Sequence, residues 1–544
     1  MDNNALAQLL FPDVTATTDD INARFPKREL PDNACVTRIG PSPTGFVHLG
    51  NLYNAIIGER LAHQSNGVFY LRIEDTDSKR EVEGAVETVI NAMSYFGVNF
   101  DEGAVIDGDN GVYGPYRQRQ RKEIYHVFAK LLVEQGKAYP CFMTAEEIDE
   151  IREQQTANKE NPGVYGKYAK CRDLSLDEIK KNIENGMEWV LRFRGVETDE
   201  YICVEDAVRG KLEMPRNNMD FVLLKSDGIP TYHFAHVVDD HFMQSTHIIR
   251  GEEWISSLPM HIELFNTLGW DIPIYCHTAT LMKIDEGNKR KLSKRKDPEL
   301  ALTYYQQEGI SKDAVWEFLL TLLNSNYEEW RIANPDTDYH EFPYSVAKMS
   351  NSGALVDLDK LTDISKNVIC RMSAEKVYEN WLEWCESYSA EYAELIKKYS
   401  ERTLKALNVG KGGNKPRKDI ENWKQACDFM SFYYDETFKV TDEMPVECDD
   451  ETRKVFFAKY LESYDHNDDS SAWFEKVKAI TEELGFAAKP KDFKKNPEMY
   501  KGSIVHITNM LRIALTGRAN APDIHEVSHV LGEDITRARL QVWA

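Results

Sequence analysis

Residues 38–51, which read RIGPSPTGFVHLGN, constrain the fold more than any other part of the sequence. The apolar run at residues 35–39 has the length of a strand, and apolar side chains between Leu49 and Leu61 recur at helical spacing. Two prolines and two glycines lie between these patterns and interrupt both. The sequence therefore predicts a strand, a tight loop and a helix. In such a unit the backbone N–H groups and the positive helix end point at one spot that suits a phosphate.

Two residues at the predicted helix start favour a nucleotide ligand. His48 is placed to donate a ring N–H to a phosphate oxygen, and Gly50 has no side chain to keep a flat base away from the backbone. A bare His-x-Gly motif also has a simpler interpretation, because an ordinary strand-to-helix turn capped by a histidine contains the same residues. On this motif alone both interpretations stay open.

Length and composition indicate a soluble protein of several domains. A chain of 544 residues has room for about three to five domains, and its 42% hydrophobic and 29% charged residues are ordinary for globular proteins. No apolar run reaches the roughly 18 residues of a membrane span, and the N-terminus lacks the basic start of a secretory signal. Nine scattered cysteines are typical of free thiols in a reducing cytoplasm, which is the predicted location.

The net charge of −24 argues against a general nucleic-acid binder, and no DNA partner is expected. It does not argue against a specific RNA partner, because local patches matter more than the total charge. Basic side chains cluster at residues 289–296, 411–418 and 489–495. For the last two clusters, a solvated surface is the alternative to a binding role.

A second apolar run of strand type, residues 68–73, leads directly into Glu74-Asp75-Thr76-Asp77. Acidic residues just past the end of a strand lie where ligands bind in open α/β sheets. The alternative is that they cap the next helix, and capping is expected to be part of their role.

The remaining periodicity divides the chain into regions. Residues 1–33 are polar and contain three prolines, so we expect them to lie outside the first fold. Residues 131–215 look like an insertion, after which short strands are predicted at residues 221–224 and 247–250. Helical periodicity without strand-like runs continues from residue 303 to the end, with a glycine- and lysine-rich break at residues 409–416 that is typical of a mobile linker.

The second phosphate-facing element is Lys291-Leu292-Ser293-Lys294-Arg295. Alone, this string describes a basic surface loop in most proteins, and it gains value from following the His48 loop in the same chain. Positioned lysine and histidine donors stabilise the negative charge that grows on phosphate oxygens in reactions at phosphorus. Lys294 on a mobile loop would close over the phosphates of a bound ligand.

The two loops, in this order, resemble the HIGH and KMSKS signatures of class I aminoacyl-tRNA synthetases, in the form seen in glutamyl-tRNA synthetases of bacterial type. The resemblance runs from residue 36 to about residue 306. It includes RIEDTD at residues 72–77, TYH at 231–233, VVDDH at 237–241 and IRGEEW at 249–254. These strings together are highly specific. The likeness is looser at residues 511–532 and weak between about 330 and 500.

The resemblance implies the residues of an active site. Glutamate would be held by Arg38, Ser42, Glu74, Tyr232 and Arg250. ATP would be held by His48, Gly50, Asn51, Gly251, Trp254, Leu281, Met282 and Lys294, and the catalytic residues would be His48, Asn51, Lys291 and Lys294. The chemistry agrees, because an arginine fork matches a carboxylate and Glu74 can receive an ammonium. On the sequence alone, Tyr232 remains open to a core role and Arg250 to a salt bridge with Glu252 or Glu253.

Metal ligands are the one departure from the family pattern. Some relatives hold a structural zinc in the insertion with four ligands, whereas the matching stretches here offer only Cys141 and Cys171. Two ligands are too few for a tetrahedral zinc site. We expect no structural zinc, and Mg²⁺ would enter only on the phosphates of ATP.

The implied fold is α/β, with a Rossmann-like parallel-sheet catalytic domain split by an insertion and followed by an all-helical C-terminal half. The expected regions are an N-terminal extension (1–33), two catalytic halves (34–130 and 216–285) around an acceptor-binding insertion (131–215), a KMSKS loop with a stem-contact domain (286–360), and a helical anticodon-binding domain (361–544).

The implied function is that of a glutamate–tRNA ligase, with tRNA(Glu), glutamate and ATP as partners, no membrane association and a monomeric state. Members of this family are implied to need tRNA before they activate glutamate. One alternative is the truncated paralogue that glutamylates a modified tRNA base, although a long helical region follows Leu361 here. The other is a non-catalytic tRNA-binding regulatory protein, against which the intact His48, Asn51, Lys291 and Lys294 argue.

Overall fold

The computed structural model of the chain describes residues 2–77, 79, 81–196, 198–411 and 416–544. The chain divides into two compact units. The first runs up to Tyr304 and takes in Trp316–Asp357, and the second comprises Tyr305–Val315 and Leu358–Ala544. Part of the predicted break at 409–416, including Lys415 of the second basic cluster, lies outside the described residues. None of the described helices is long and apolar enough to cross a bilayer.

The strands are short and belong to the first unit. They are β1 (Val36–Ile39), β2 (Val68–Leu71), β3 (Glu102–Val105), β4 (Gly108–Asn110), β5 (Ala138–Cys141), β6 (Val190–Phe193), β7 (Tyr201–Asp206), β8 (Gly210–Pro215), β9 (Val222–Leu224), β10 (His247–Gly251), β11 (Ile274–Thr278), β12 (Leu281–Asp285), β13 (Asn288–Lys291) and β14 (Ala354–Leu355).

Helices are found throughout the described chain. They are α1 (Asn3–Leu10), α2 (Thr18–Arg24), α3 (Leu49–Gln64), α4 (Ala85–Tyr95), α5 (Lys122–Glu134), α6 (Ala145–Ala157), α7 (Leu176–Glu184), α8 (Tyr232–Phe242), α9 (Leu258–Leu268), α10 (Leu302–Gln307), α11 (Lys312–Leu323), α12 (Tyr327–Ala333), α13 (Leu358–Arg371), α14 (Ala374–Tyr388), α15 (Ala390–Lys398), α16 (Ser400–Asn408), α17 (Trp423–Met430), α18 (Asp450–Ser463), α19 (Ser470–Glu483), α20 (Pro490–Lys495), α21 (Ile504–Thr516), α22 (Ile524–Leu531) and α23 (Glu533–Gln541).

Two parallel sets of strands form the centre of the first unit. In one sheet β1, β2 and β3 run parallel, and β4 closes the edge in the antiparallel sense. In the other, β10, β11 and β7 run parallel, with β8 antiparallel at the edge. The N–H of Thr246, just before β10, donates to the Val36 carbonyl at 2.9 Å, so β1 and β10 are neighbours. The carboxyl ends of β1 and β10 therefore open on the same side, where ligands bind in such folds.

The strand–loop–helix prediction is confirmed, with β1, a loop through residues 40–48, and α3. The predicted strand at residues 247–250 corresponds to β10. Tyr232 begins a helix, α8, where the sequence indicated only an apolar stretch after a turn. The two-residue strand β14 interrupts the helical periodicity predicted from residue 303, because Leu355 pairs with Met282 of β12.

The N-terminal segment packs into the first unit rather than lying outside it. Leu6, Ala7 and Leu10 of α1 are buried in one core cluster with α5 and α8. A capping box between Thr17 and Asp20 starts α2, and Ile21 of that helix is fully buried in the same cluster. The expectation that residues 1–33 lie outside the first fold is wrong, because the apolar face of each short helix is masked in the sequence by polar neighbours.

The second unit is built from helices packed around aromatic side chains. One core cluster contains Trp381, Trp423 and Tyr434, and another contains Phe456, Tyr460 and Leu511. The three predicted terminal helices are present as α21, α22 and α23, with Gly517 in the left-handed conformation ending α21. The helical nature of the C-terminal half is thus confirmed for the described residues.

Candidate active site

His48 begins α3, and its side chain caps the helix. The Asn51 N–H donates to His48 Nδ1 at 3.2 Å, and the His48 N–H donates to Asn51 Oδ1 at 3.0 Å. This reciprocal capping satisfies two N–H groups that a helix start otherwise leaves without partners. A Cβ at Gly50 would lie 3.0 Å from His48 Nδ1, so glycine leaves the ring free to take this position. The capping interpretation of His48 is therefore correct as far as Nδ1 is concerned.

The other ring nitrogen of His48 remains available to a ligand. Burial, followed by the nearby charge of Lys294, lowers the pKa of His48 to about 4, so the ring is neutral near pH 7. Nδ1 accepts a hydrogen bond, so the single ring proton of the neutral form lies on Nε2. His48 thus caps the helix with one nitrogen and offers an N–H donor with the other.

The Lys291–Arg295 loop follows the β12–β13 hairpin and is fixed by one buried carboxylate. Asp297, 2% exposed, accepts from the Arg290 guanidinium at 2.7 and 2.8 Å and from the Ser293 N–H at 2.7 Å. The Arg290 hydrogen bonds hold the pKa of Asp297 well below its usual range. The Lys294 ammonium lies 3.9 Å from the centre of the Phe46 ring, a cation–π contact that places it over the His48 loop.

The two signature loops are joined by backbone contacts. Ala301 pairs with His48 in an isolated antiparallel bridge, and the Leu302 N–H donates to the Val47 carbonyl at 3.2 Å. The segment after Lys294 is therefore anchored beside the start of α3. This anchoring fixes the distance between the two loops that the sequence separates so widely.

Two adjoining cavities lie at the carboxyl ends of the parallel strands. The larger one, of about 470 Å³ and here named the outer cavity, is lined by residues that include Arg38, Ser42, Glu74, Tyr232, Arg250 and Trp254. The smaller one, of about 300 Å³ and here named the deeper cavity, is lined by residues that include Gly50, Tyr53, Ala279, Leu281, Lys291 and Leu292. His48 and Lys294 line both cavities, as do Asn54, Gly251 and Glu253. The two signature residues thus form part of the wall that both cavities share.

Arg250, only 5% exposed, lies in the outer cavity without an acidic partner. Its Nε donates to His277 Nε2 at 3.0 Å, and its Nη1 lies 3.1 Å from His261 Nδ1 and 3.5 Å from the Tyr232 hydroxyl. Its Nη2 donates to the Trp254 carbonyl at 3.4 Å. No carboxylate of the described chain forms an ion pair with it. The proposed alternative, a salt bridge to Glu252 or Glu253, is therefore not formed, and an incoming anion would meet an uncompensated charge.

Arg38 differs because its charge is already balanced. Its Nε and Nη2 donate to the two oxygens of Asp240 at 3.1 and 3.2 Å. Asp240 also accepts from Arg72 at 2.9 Å and contacts His236 at 2.6 Å, and these partners hold the pKa of Asp240 well below its usual range despite burial. Arg38 lines the outer cavity, but Asp240 fixes its guanidinium and balances its charge.

Glu74 follows β2 by three residues, and Arg72 Nη2 donates to its Oε1 at 2.9 Å. Burial raises the pKa of Glu74, although Arg72 and Arg38 oppose that shift. A Cβ on Gly40 would lie 2.2 Å from Glu74 Oε1, so glycine is required there for Glu74 to face the cavity. The carboxylate is thus placed to receive a cation.

Most of the remaining predicted residues line one cavity or the other. Ser42 is exposed on the loop beside Glu74, Trp254 packs on Tyr232 with ring centres 4.4 Å apart, and Leu281 lies in the deeper cavity. Trp254 is therefore next to the residues expected to hold glutamate rather than those expected to hold ATP. Met282 is not among the residues that line either cavity. The structure does not bring it to the predicted site.

Sequence reasoning missed the buried residues behind the cavity. Asp240 belongs to the VVDDH motif at residues 237–241, but the sequence alone predicts no role for it. It predicts none for Asp206, His261 or His277 either. Asp206 and His277 lie at or near the ends of β7 and β11. Polar residues at the carboxyl ends of strands were the signal that would have found them.

Eight histidines of the first unit are held in the neutral form. Burial lowers the pKa of His48, His233 and His241 to about 4 and that of His236 to about 3. It also lowers the pKa of His126, His247, His261 and His277. An unfolded histidine takes up a proton below about pH 6.5, so each contributes stability that is present above that pH and is lost as the pH falls. Glu59 has the opposite sign, because burial raises its pKa to about 7.

Cys141 and Cys171 lie close together in the predicted insertion. The Phe142 N–H points at Cys171 Sγ over 3.4 Å, and both thiols are free. The described residues contain no group of three or more His, Cys, Asp or Glu side chains arranged to hold a metal. The expected lack of a structural zinc stays a prediction.

Comparison with known proteins extends these observations to the whole chain. Residues 34–363 match the family described as class I tRNA synthetases (E and Q), catalytic domain, and residues 391–544 match an anticodon binding domain. The chain is 55% identical to a glutamate–tRNA ligase of Acetivibrio thermocellus over 99% of this chain and 100% of the relative. It is 46% identical to one of Clostridium perfringens strain 13, over 98% of this chain and 99% of the relative.

A solved structure gives the same result for the fold. The crystal structure of a glutamate tRNA ligase from Elizabethkingia meningosepticum, in complex with its amino acid, aligns with a TM-score of 0.75 and 26% identity. The alignment covers 94% of this chain and 99% of that one.

Proposed function

The chain belongs to the glutamate–tRNA ligases of the class I tRNA synthetase family, and we propose that the two adjoining cavities are its catalytic site. The outer cavity takes glutamate and the deeper one takes ATP. The observation that carries this proposal is the position of His48 and Lys294 in the wall that both cavities share. The α-carboxylate of glutamate and the α-phosphate of ATP would meet at that wall.

In the first step, an α-carboxylate oxygen of glutamate bonds to the α-phosphorus of ATP while the bond to the pyrophosphate oxygen breaks. Negative charge grows on the phosphate oxygens as this happens. The His48 Nε2–H and the Lys294 ammonium would donate to those oxygens, and Lys291 lines the deeper cavity with them. Asn51 acts through the cap that orients His48.

Mg²⁺ fits this site only as an ion carried on the triphosphate. Glu253 is the one carboxylate among the described residues that line the deeper cavity, and Mg²⁺ is commonly bound by one or two carboxylates together with substrate phosphates. Bound there, it would offset phosphate charge.

Glutamate is selected by charge. Arg250 has no acidic partner among the described residues, so its guanidinium is the one that would receive the side-chain carboxylate. Glu74 would receive the ammonium, and Arg38 adds positive charge at the same edge while Asp240 holds it in place. Tyr232 and Trp254 would form the apolar wall against the methylene groups.

In the second step a ribose hydroxyl of the terminal adenosine of tRNA attacks the glutamyl carbonyl carbon, and AMP leaves. We assign residues 131–215 to the acceptor end, residues 286–360 to the stem and residues 361–544 to the anticodon, with tRNA(Glu) as the substrate and the cytoplasm as the place of action. The match of residues 391–544 to an anticodon binding domain supports the last assignment.

A surface of the second unit fits the tRNA backbone. Residues 488–502, here called the lysine loop, are closed at the neck by backbone hydrogen bonds, among them Ala487 N–H to the Gly502 carbonyl at 3.0 Å. Lys489, Lys491, Lys494 and Lys495 are exposed and form no ion pair with the described residues. By contrast, Lys397 and Lys405 of the same unit pair with glutamates. In a chain of net charge −24, free lysines on one loop favour contact with phosphate.

The test is pyrophosphate exchange and tRNA charging with glutamate, each measured with and without tRNA(Glu). We expect exchange that depends on tRNA and formation of glutamyl-tRNA at the terminal adenosine. Glutamate attached to a tRNA base would support the paralogue function instead. Binding of tRNA without exchange or charging would support the regulatory function and refute the proposal.

A further inference from the structure

We propose that Asp206 and His277 are positioning residues that fix the guanidinium of Arg250 for the side chain of the amino-acid substrate. The inference rests on the proposed function, because it takes Arg250 as the group that selects glutamate. It extends that function by naming two buried residues that do not line the outer cavity but fix the orientation of the Arg250 guanidinium within it.

The three side chains form a row across three neighbouring strands. Strand β11 lies between β10 and β7, and the register sets Arg250 opposite His277 and Tyr275 opposite Asp206. Arg250 Nε donates to His277 Nε2 at 3.0 Å, and His277 Nδ1 lies 2.6 Å from Asp206 Oδ2. Asp206 is 1% exposed and His277 is fully buried, so water does not compete for these bonds. The row is therefore a continuous buried chain that ends at the Arg250 guanidinium.

The donors and acceptors in this row allow only one arrangement of protons. An arginine Nε carries a hydrogen and cannot accept, so His277 Nε2 must accept from it. Burial lowers the pKa of His277, which keeps the ring neutral, and its single proton therefore lies on Nδ1. Nδ1–H can then donate only to Asp206. The carboxylate thus sets the tautomer of the histidine, and the tautomer sets the direction of Arg250.

Asp206 is itself held so that it cannot turn away. Its Oδ1 accepts from the N–H groups of Val208 and Arg209 at 2.9 and 2.8 Å, and the His277 N–H donates to Oδ1 and Oδ2 at 3.3 and 3.1 Å. The pKa of Asp206, which burial would raise, is lowered overall by the His277 and backbone hydrogen bonds. In an Asp206→Asn variant the amide oxygen at Oδ1 would keep the two shorter bonds and accept the His277 N–H as well, so the amide NH₂ would face His277 Nδ1. The histidine proton would then move to Nε2 and oppose the Arg250 Nε–H.

On the far side of Arg250, a second neutral histidine accepts from Nη1 and limits rotation of the guanidinium. His261 Nδ1 lies 3.1 Å from Arg250 Nη1, and His261 Nε2 lies 3.0 Å from His233 Nδ1. Arg250 is therefore held by two histidines, of which only His277 is backed by a carboxylate. Without the carboxylate-backed contact, the guanidinium would be held only by His261 and by the longer contacts to Tyr232 and Trp254, at 3.5 and 3.4 Å.

The experiment compares Asp206→Asn and His277→Phe with Asp220→Asn in the full-length protein. Asp220 is a matched control, because it is a buried carboxylate of the same unit that binds Tyr139 and Arg172 instead of Arg250. The measured quantities are KM for glutamate, KM for ATP and the ratio of kcat/KM for glutamate over glutamine, all with tRNA present. Thermal unfolding of each variant is recorded in parallel.

We expect Asp206→Asn and His277→Phe each to raise KM for glutamate tenfold or more and to narrow the glutamate-to-glutamine ratio. KM for ATP should stay within twofold, and Asp220→Asn should leave both KM values within twofold even if it lowers the melting temperature. Glutamate KM and selectivity within twofold of the parent in the folded variants would overturn the inference. So would an equal loss in Asp220→Asn. If Arg250→Gln also left glutamate KM unchanged, the pocket assignment itself would be wrong, which separates the two failures.

Discussion

Replacing Arg250 by glutamine tests the proposed basis of amino-acid selection. In the structure Nε is used by His277, one Nη1 hydrogen by His261 and one Nη2 hydrogen by the Trp254 carbonyl, so about two of the five N–H groups remain for a substrate carboxylate. A hydrogen bond to a charged group contributes about 1.5–3 kcal/mol, and two contribute about 3–6 kcal/mol. At about 1.4 kcal/mol per factor of ten, Arg250→Gln should lower kcat/KM for glutamate by roughly 10²–10⁴.

The same variant should affect glutamine much less. A neutral amide accepts one such bond through its oxygen while its NH₂ group opposes the second donor, so the loss costs about 1.5–3 kcal/mol, or roughly 10–10² in kcat/KM. The ratio of the two amino acids should therefore narrow by about tenfold or more. The assay is kcat/KM for glutamate and glutamine at saturating ATP and tRNA.

Arg38→Gln is the informative comparison. Its removal would leave Asp240 buried with Arg72 and His236 as partners, so it should lower the melting temperature, which Arg250→Gln should affect less. An unchanged glutamate-to-glutamine ratio in Arg250→Gln, or full activity on glutamate, would refute the reasoning and leave selection to Arg38.

Four further outcomes are expected. Lys294→Ala should lower the single-turnover rate of activation by about 10²–10³ with little change in glutamate affinity. Lys296→Ala, an exposed lysine just after the same loop that lines neither cavity, should leave that rate nearly unchanged. A near-normal rate for Lys294→Ala would show that Lys294 does not take part in the chemistry. A variant with alanine at all four lysines of the lysine loop (Lys489, Lys491, Lys494 and Lys495) should bind tRNA more weakly and reduce the slope of log Kd against log salt by about 3–4. A control variant with alanine at Lys397 and Lys405, which pair with glutamates, should change that slope little. An unchanged slope in the four-lysine variant would show that the lysine loop does not contact phosphate. Metal analysis of the purified protein should find no stoichiometric zinc, and a tightly held zinc at Cys141 and Cys171 would show that further ligands were missed. The free energy of unfolding of the first unit, measured by urea titration, should fall as the pH is lowered from about 6.5 to 4. In that range the eight histidines take up protons in the unfolded state and stay neutral in the folded state. Constant stability over this range would contradict their burial as neutral groups.

Local sequence patterns were sufficient where local contacts decide the structure. The β1–loop–α3 unit was predictable because its prolines, glycines and helix cap lie within about thirty residues of one another. The pairing of the His48 and Lys294 loops followed from the family resemblance, and the Ala301–His48 bridge gives the physical reason for it.

The side-chain neighbours within the site could not be predicted, because they are set by contacts between residues far apart in the sequence. Nothing near Arg250 in the chain indicates that His277 and Asp206 are its neighbours, because strand order places them together. The sequence also could not show that the charge of Arg38 is balanced while that of Arg250 is not. That difference arises because Asp240 of α8 pairs with Arg38 and not with Arg250. Trp254 was expected beside ATP, and only the fold places its ring against Tyr232.

The pairing of β7 with β11 limits how this chain can be recombined with its relatives. The Ala207 N–H donates to the Tyr275 carbonyl at 2.8 Å, so the end of the predicted insertion is joined to the central sheet. A chimaera that exchanged residues 131–215 as one module would replace β7, the strand that pairs with β11. It would also replace Asp206, the residue of β7 that contacts His277. Breakpoints between Cys141 and Val190 would instead exchange only the region that holds α6 and α7 and leave every strand of the recipient in place. The part of the insertion that can be transplanted is therefore the segment between β5 and β6, and the strands after it must be inherited with the active site.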